Sequence, residues 1–114
     1  MELPGTGDNR REHHRKILRT HARLLLPSKE IVTVRTYDIS AGGLGVAAGI
    51  SLKADTQVGV QVQLPTGEGG REMLMAEAVV THSVLSQAEQ GFKIGLRFML
   101  SGHSLAVLAR YLKL

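Results

Sequence analysis

Gln57-Val58-Gly59-Val60-Gln61-Val62-Gln63-Leu64 alternates polar or small residues with apolar ones over its whole length. Successive side chains of a strand point to opposite faces, so Val58, Val60, Val62 and Leu64 face a core while the glutamines face water. The fold is therefore expected to rest on a sheet with one wet side. After it, Pro65-Thr-Gly-Glu-Gly-Gly70 has the composition of a turn, and Glu72 to Val84 reads as a long strand with Leu74, Ala76, Ala78 and Val80 on one side. A polar loop, Ser86 to Gly91, leads to a strand in which Phe92, Ile94, Leu96 and Phe98 alternate with Lys93, Gly95, Arg97 and Met99.

On the N-terminal side the small, polar Gly49 to Thr56 segment is a loop, and Leu44 to Ala47 a short strand that follows a turn at Gly42 and Gly43. Before that turn Glu30 to Asp38 is rich in Ile, Val, Thr and Tyr, which suits a pleated, half-buried surface. Pro27-Ser28-Lys29 separates it from a first strand, Ile17 to Leu26. There Leu18, Thr20, Ala22, Leu24 and Leu26 form the smaller, more apolar face, and the other face is largely basic. The period changes at the end: Ser101 or Ser104 caps a helix over about residues 103–113, with Leu105, Leu108, Tyr111 and Leu112 as its apolar stripe. Six short strands and one terminal helix predict a mainly β fold, a small six-stranded antiparallel β-barrel with a C-terminal α-helix plugging or flanking an open end.

A chain of 114 residues suits one domain with a modest core. No apolar run approaches the roughly 18 to 20 residues of a membrane span, and Met1 to Asn9 has neither the basic start nor the apolar centre of a secretory signal. The absence of cysteine excludes a disulfide scaffold and a thiolate metal site; a cytoplasmic location fits best. Net charge is +4, but it is local: Arg10, Arg11, Arg15, Lys16, Arg19 and Arg23 face one acid, Glu12, and the rest is nearly neutral. Residues 1–9, with two glycines and a proline, are expected to form a mobile leader to a domain spanning 10–114.

The candidate site combines that basic run with Asp38-Ile-Ser-Ala-Gly-Gly-Leu-Gly45. Arg11 and Arg15, four apart, fall on one side of either an extended or a helical segment, and Arg10 adds a third guanidinium. Guanidinium offers a fork of donors to phosphate and a flat face to a purine. Asp38 is an acceptor-only carboxylate, suited to the N1 and N2 donor edge of guanine; Ser40 donates or accepts; Gly42 and Gly43 remove side chains that would hold a ligand away. Taken alone, the basic run reads as a solvated tail and the Asp-Ser-Gly stretch as a hairpin turn. His13, His14 and His21 lack the spacing of a metal site, and His82 and His103 read as structural or surface residues. Met73 and Met75, on one strand face, are expected to pack. Gly43-x-Gly45 lacks the third glycine and helix of a dinucleotide loop, and no activated nucleophile or acid pair supports an enzyme.

Arg11-Glu-His-His-Arg15, an RxxxR pair, and after 22 intervening residues Asp38-Ile-Ser40-Ala-Gly-Gly43, a DxSxxG box, together resemble the PilZ domain family. Gly95-Leu-Arg97-Phe98 is similar to that family's last strand. The resemblance implies a non-enzymatic receptor for cyclic di-GMP, a bacterial second messenger, with Arg11 and Arg15 clamping phosphate and guanine, and Asp38, Ser40 and Gly43 meeting the other side of the bases. Arg10 matches a family position linked to binding a stacked pair of ligands. Ordering of the arginine segment on binding would act as a switch toward a separate protein partner in motility or biofilm control. Two other classes are weighed: a small basic barrel for single-stranded nucleic acid, disfavoured by 4% aromatic content, and a ligand-independent protein-interaction module.

Overall fold

The computed structural model describes residues 15–113. Among them are seven strands and one helix: β1 (Lys16–Ile17), β2 (His21–Leu25), β3 (Ile31–Ile39), β4 (Gly43–Ala48), β5 (Gln57–Pro65), β6 (Arg71–Ser86), β7 (Gly91–Met99) and α1 (Gly102–Leu112). All pairings are antiparallel, in the order β1-β3-β2-β5-β6-β7-β4, and an additional β3–β4 pairing joins the two ends. Strands β2 to β7 thus form a closed six-stranded barrel, which removes the exposed edges an open sheet would carry.

The glutamine-valine strand behaves as its alternation predicts. Val58, Val60, Val62 and Leu64 are all buried, as are Leu74, Ala78 and Val80 on β6 and Ile94 and Leu96 on β7. Each large aliphatic side chain removed from water contributes roughly 1.5–3 kcal/mol, so this interior supplies the main stabilisation. Met75 departs from expectation. It belongs to the opposite parity of β6 from Leu74 and Ala76, and is exposed on the outside of the barrel.

The single first strand expected from Ile17 to Leu26 is instead two pieces, β1 and β2, which share one edge of β3. The register slips by one residue between Ile17↔Asp38 and His21↔Arg35. A buried threonine holds the slip: Thr36 Oγ1 donates to the Leu18 carbonyl at 2.5 Å and accepts from the Thr20 N–H at 3.0 Å, while Thr36 N–H donates to the Thr20 carbonyl at 2.8 Å. Leu18 and Ala22 consequently both stay in the core on either side of the break.

The helix covers the barrel with Ser104, Val107 and Leu108 buried and Tyr111 and Leu112 partly so, a 3–4 spacing that faces inward. Leu105, expected in that stripe, is exposed, and Val107 takes its place. Both serines serve the start: Ser101 is the N-cap residue, and Ser104 Oγ accepts its N–H at 3.2 Å. Lys113 ends the helix in the left-handed region, with φ 61°. Arg110 pairs with Glu72 on β6, and Lys16 lies 4.2 Å from the centre of the Tyr111 ring, so the helix holds both β6 and the start of β1. No helix among the described residues is long and apolar enough to cross a membrane.

Thr36→Val keeps the shape but leaves a buried N–H and carbonyl without their partner. It is expected to lower stability by about 1–3 kcal/mol in urea denaturation. A midpoint equal to wild type would contradict the anchoring role.

Candidate functional site

Strand β3 runs through Asp38 and Ile39, and the chain turns at 40–42 before returning as β4. Ser40 builds this corner. Its N–H donates to the Gly43 carbonyl at 2.9 Å, and its Oγ accepts from the N–H groups of Gly42 and Gly43, each at 3.2 Å. The serine is fully buried, so its side chain replaces water for two amides.

Gly43 and Gly45 are fitted closely to neighbouring groups of the barrel. A Cβ on Gly43 would run into the Leu96 carbonyl of β7, and one on Gly45 would lie 2.5 Å from both Asp38 Oδ1 and a Tyr37 ring carbon. Neither Gly42 nor Gly43 takes a positive φ. The β3–β4 register shifts between Thr36 and Asp38, leaving Tyr37 as the extra residue over Gly45.

Strand β1 delivers Arg15. With Lys16 paired to Ile39 and Ile17 to Asp38, the residue before β1 arrives beside the corner. Arg15 Nε donates to Asp38 Oδ2 at 2.9 Å, and Nη1 lies 3.5 Å from Ser40 Oγ. The Arg15 side chain is 51% exposed and that of Asp38 21%, so the pair is worth at most about 1 kcal/mol to stability. Its effect is positional: it fixes the guanidinium plane and leaves other N–H groups of Arg15 for a ligand. Asp38 Oδ1 is buried and has no hydrogen-bond partner among the described residues.

A cavity of about 500 Å³ opens beside this corner. Arg15, Ser40, Gly42 and Gly43 line one side, and Thr81, His82, Gly95, Leu96, Arg97 and Phe98 line the other. Asp38 acts on it through Arg15. Of the residues expected from sequence, the fold thus gathers Arg15, Asp38, Ser40, Gly42 and Gly43; Arg10 and Arg11 lie outside the described residues, as do the leader at 1–9, His13 and His14.

His82 and Arg97 were not anticipated as site residues. A register shift between Val80 and His82 re-aims β6 at this point, and the imidazole occupies the space over Gly95 that any side chain there would fill. Thr81 Oγ1 lies 3.1 Å from the Gly95 carbonyl and 3.0 Å from His82 Nδ1, which holds the imidazole over Gly95. The small residue opposite His82 was the one signal in the sequence, and it is legible only once β6 and β7 are in register.

A family model described as the PilZ domain matches residues 9–114. No curated protein matches the chain in sequence. Among solved structures, the Bacillus subtilis inhibitor of motility (MotI/DgrA) is similar with a TM-score of 0.75 and 23% identity, over 90% of this chain and 49% of that one. The chain therefore spans about half the length of the Bacillus protein. The PilZ domain of YcgR from Escherichia coli, solved with c-di-GMP, gives a TM-score of 0.63 at 16% identity, covering 90% of this chain and 88% of that one. The PilZ domain of CeSA from a cellulose-synthesizing bacterium gives 0.61 at 21% identity, covering 88% and 96%. These likenesses show the fold.

Tyr37 stands beside the site, with Lys93 4.7 Å from its ring centre. Burial, then the Asp38 charge, raises its phenol above the ordinary value of 10.0, with Glu89 adding slightly and Arg15 opposing; burial alone raises Tyr111. These are the chain's two tyrosines, so native ultraviolet titration is expected to show phenolate forming above pH 10 and returning to about 10 in urea. A raised folded value means that the stability contribution is fully present below pH 10 and is lost as pH rises through the folded value. Tyr37→Phe should flatten part of that alkaline decline; an unchanged slope would contradict the assignment.

Proposed function

Because the chain belongs to the PilZ domain family, we propose that it is a non-enzymatic receptor for cyclic di-GMP, the nucleotide bound to the YcgR domain it resembles in fold. The observation that carries this reading is that Arg15, more than 20 residues before the Asp38–Ser40 corner in sequence, is held by Asp38 and Ser40 on one wall of a cavity of nucleotide-compatible size.

Each residue has a physical task. Arg15, oriented by Asp38, presents charge-assisted donors to a phosphate oxygen and a planar face to guanine. Asp38 acts on the ligand through Arg15, whose guanidinium it orients. Ser40 holds the corner in shape through the two glycine amides and keeps its hydroxyl within reach of the Arg15 guanidinium. Arg11 joins Arg15 in the clamp, and Arg10 allows a second, stacked ligand molecule. Arg97 and His82 give the opposite wall a fixed charge and a hydrogen-bonding ring. Binding draws the arginine segment onto the barrel face and alters what a downstream protein meets, in the cytoplasm where a nucleotide messenger is available.

Calorimetry with cyclic di-GMP, GTP and a single-stranded oligonucleotide in parallel tests this. Saturable binding is expected with the first alone. Arg15→Ala is expected to weaken it by about a hundredfold or more, since hydrogen bonds to charged groups contribute roughly 1.5–3 kcal/mol each, while thermal stability stays near wild type. Wild-type affinity should also fall as salt rises. Equal affinity in wild type and variant would refute the clamp.

A further inference from the structure

On the outside of the barrel the strand registers bring apolar side chains into one row. Ile31 pairs with Leu25, Leu25 with Gly59, Gly59 with Glu77 and Glu77 with Met99. Met75 stands in the adjacent row, beyond Gln61 and Arg23. Because Gly59 has no side chain, the row is a trough: a cavity of about 530 Å³ is floored by Gly59 and walled by these residues and by Ser101 and His103 at the start of α1. Ile31, Leu25, Met75 and Met99 are 57%, 46%, 64% and 41% exposed, which is far more apolar surface in one place than packing of the barrel requires.

The charges around the trough select its occupant. Glu77 is its single acid, against Arg23 in the wall and His21 and Arg71 in the adjoining depression, which shares Arg23 and Gln61. The first turn of α1 carries no acidic residue to offset its positive end. A second copy laid on this face would set basic rim against basic rim. A nucleic acid would find no aromatic ring in the trough on which to stack a base. We propose that this trough is a docking site for a protein segment with apolar side chains on one face and Asp or Glu beside them, held by adaptable methionines and a basic rim. The proposal does not rest on the reading of the ligand cavity.

Selection of a random-peptide display library against the full chain tests it. Enriched peptides are expected to combine apolar and acidic residues. Measured one by one, they should bind Met75→Glu and Arg23→Glu at least about tenfold more weakly, and bind Leu85→Glu, an exposed apolar site outside the trough, as well as wild type. Both substituted positions in the trough are exposed, so the variants should fold, which circular dichroism checks. The proposal is overturned by three results: no apolar-acidic family enriched, binding indifferent to Met75→Glu, or a concentration-dependent dimer in sedimentation that Met75→Glu abolishes.

Discussion

Closure of the sheet between β3 and β4 is the constraint on which the remaining architecture depends. It requires backbone to approach backbone at Gly43, where the β7 carbonyl of Leu96 occupies the place of a side chain, and requires Gly45 to lie beneath Asp38 and Tyr37. Larger residues at either position would push β4 from its neighbours and open the barrel. The corner that closes the sheet is also the corner that carries Asp38 and Ser40. Fold and candidate site therefore share the same few residues.

Arg15 reaches that corner because the segment before β2 is tethered at several points. Leu18 is buried and its N–H donates to the Tyr37 carbonyl, Thr36 secures the break between β1 and β2, and Lys16 rests against Tyr111 of α1. The ion pair to Asp38 adds little stability at this exposure. What it adds is orientation, at low cost, of a group that stays accessible. The corner also adjoins the strand that walls the outer trough: Phe98 N–H donates to the Gly42 carbonyl at 3.0 Å, and the next residue, Met99, stands in the trough wall.

Period-two alternation made the barrel legible in the sequence, because Gln57 to Leu64 and Phe92 to Phe98 follow it without interruption. The RxxxR and DxSxxG spacings likewise exposed Arg15, Asp38 and Ser40. What stayed hidden depends on pairing between strands. The slips near Arg19, Tyr37 and Thr81 show only once the strands are paired and leave no local mark, so β1 and β2 read as one strand and His82 as an isolated surface residue. The glycines of the box read as room for a ligand, whereas Gly43 makes room for Leu96. Met75 was assigned to packing although its parity opposes Leu74; its outward position follows from the register with Gln61.

The proposed receptor role puts the nucleotide in the cavity between the Asp38–Gly43 corner and the β6–β7 wall. A structure of the chain determined with cyclic di-GMP tests this most directly. A phosphate oxygen is expected within hydrogen-bond distance of the Arg15 guanidinium, with a guanine beside Ser40 and Gly43, facing Arg97. A nucleotide seated elsewhere on the barrel, with Arg15 engaged only by Asp38, would contradict it.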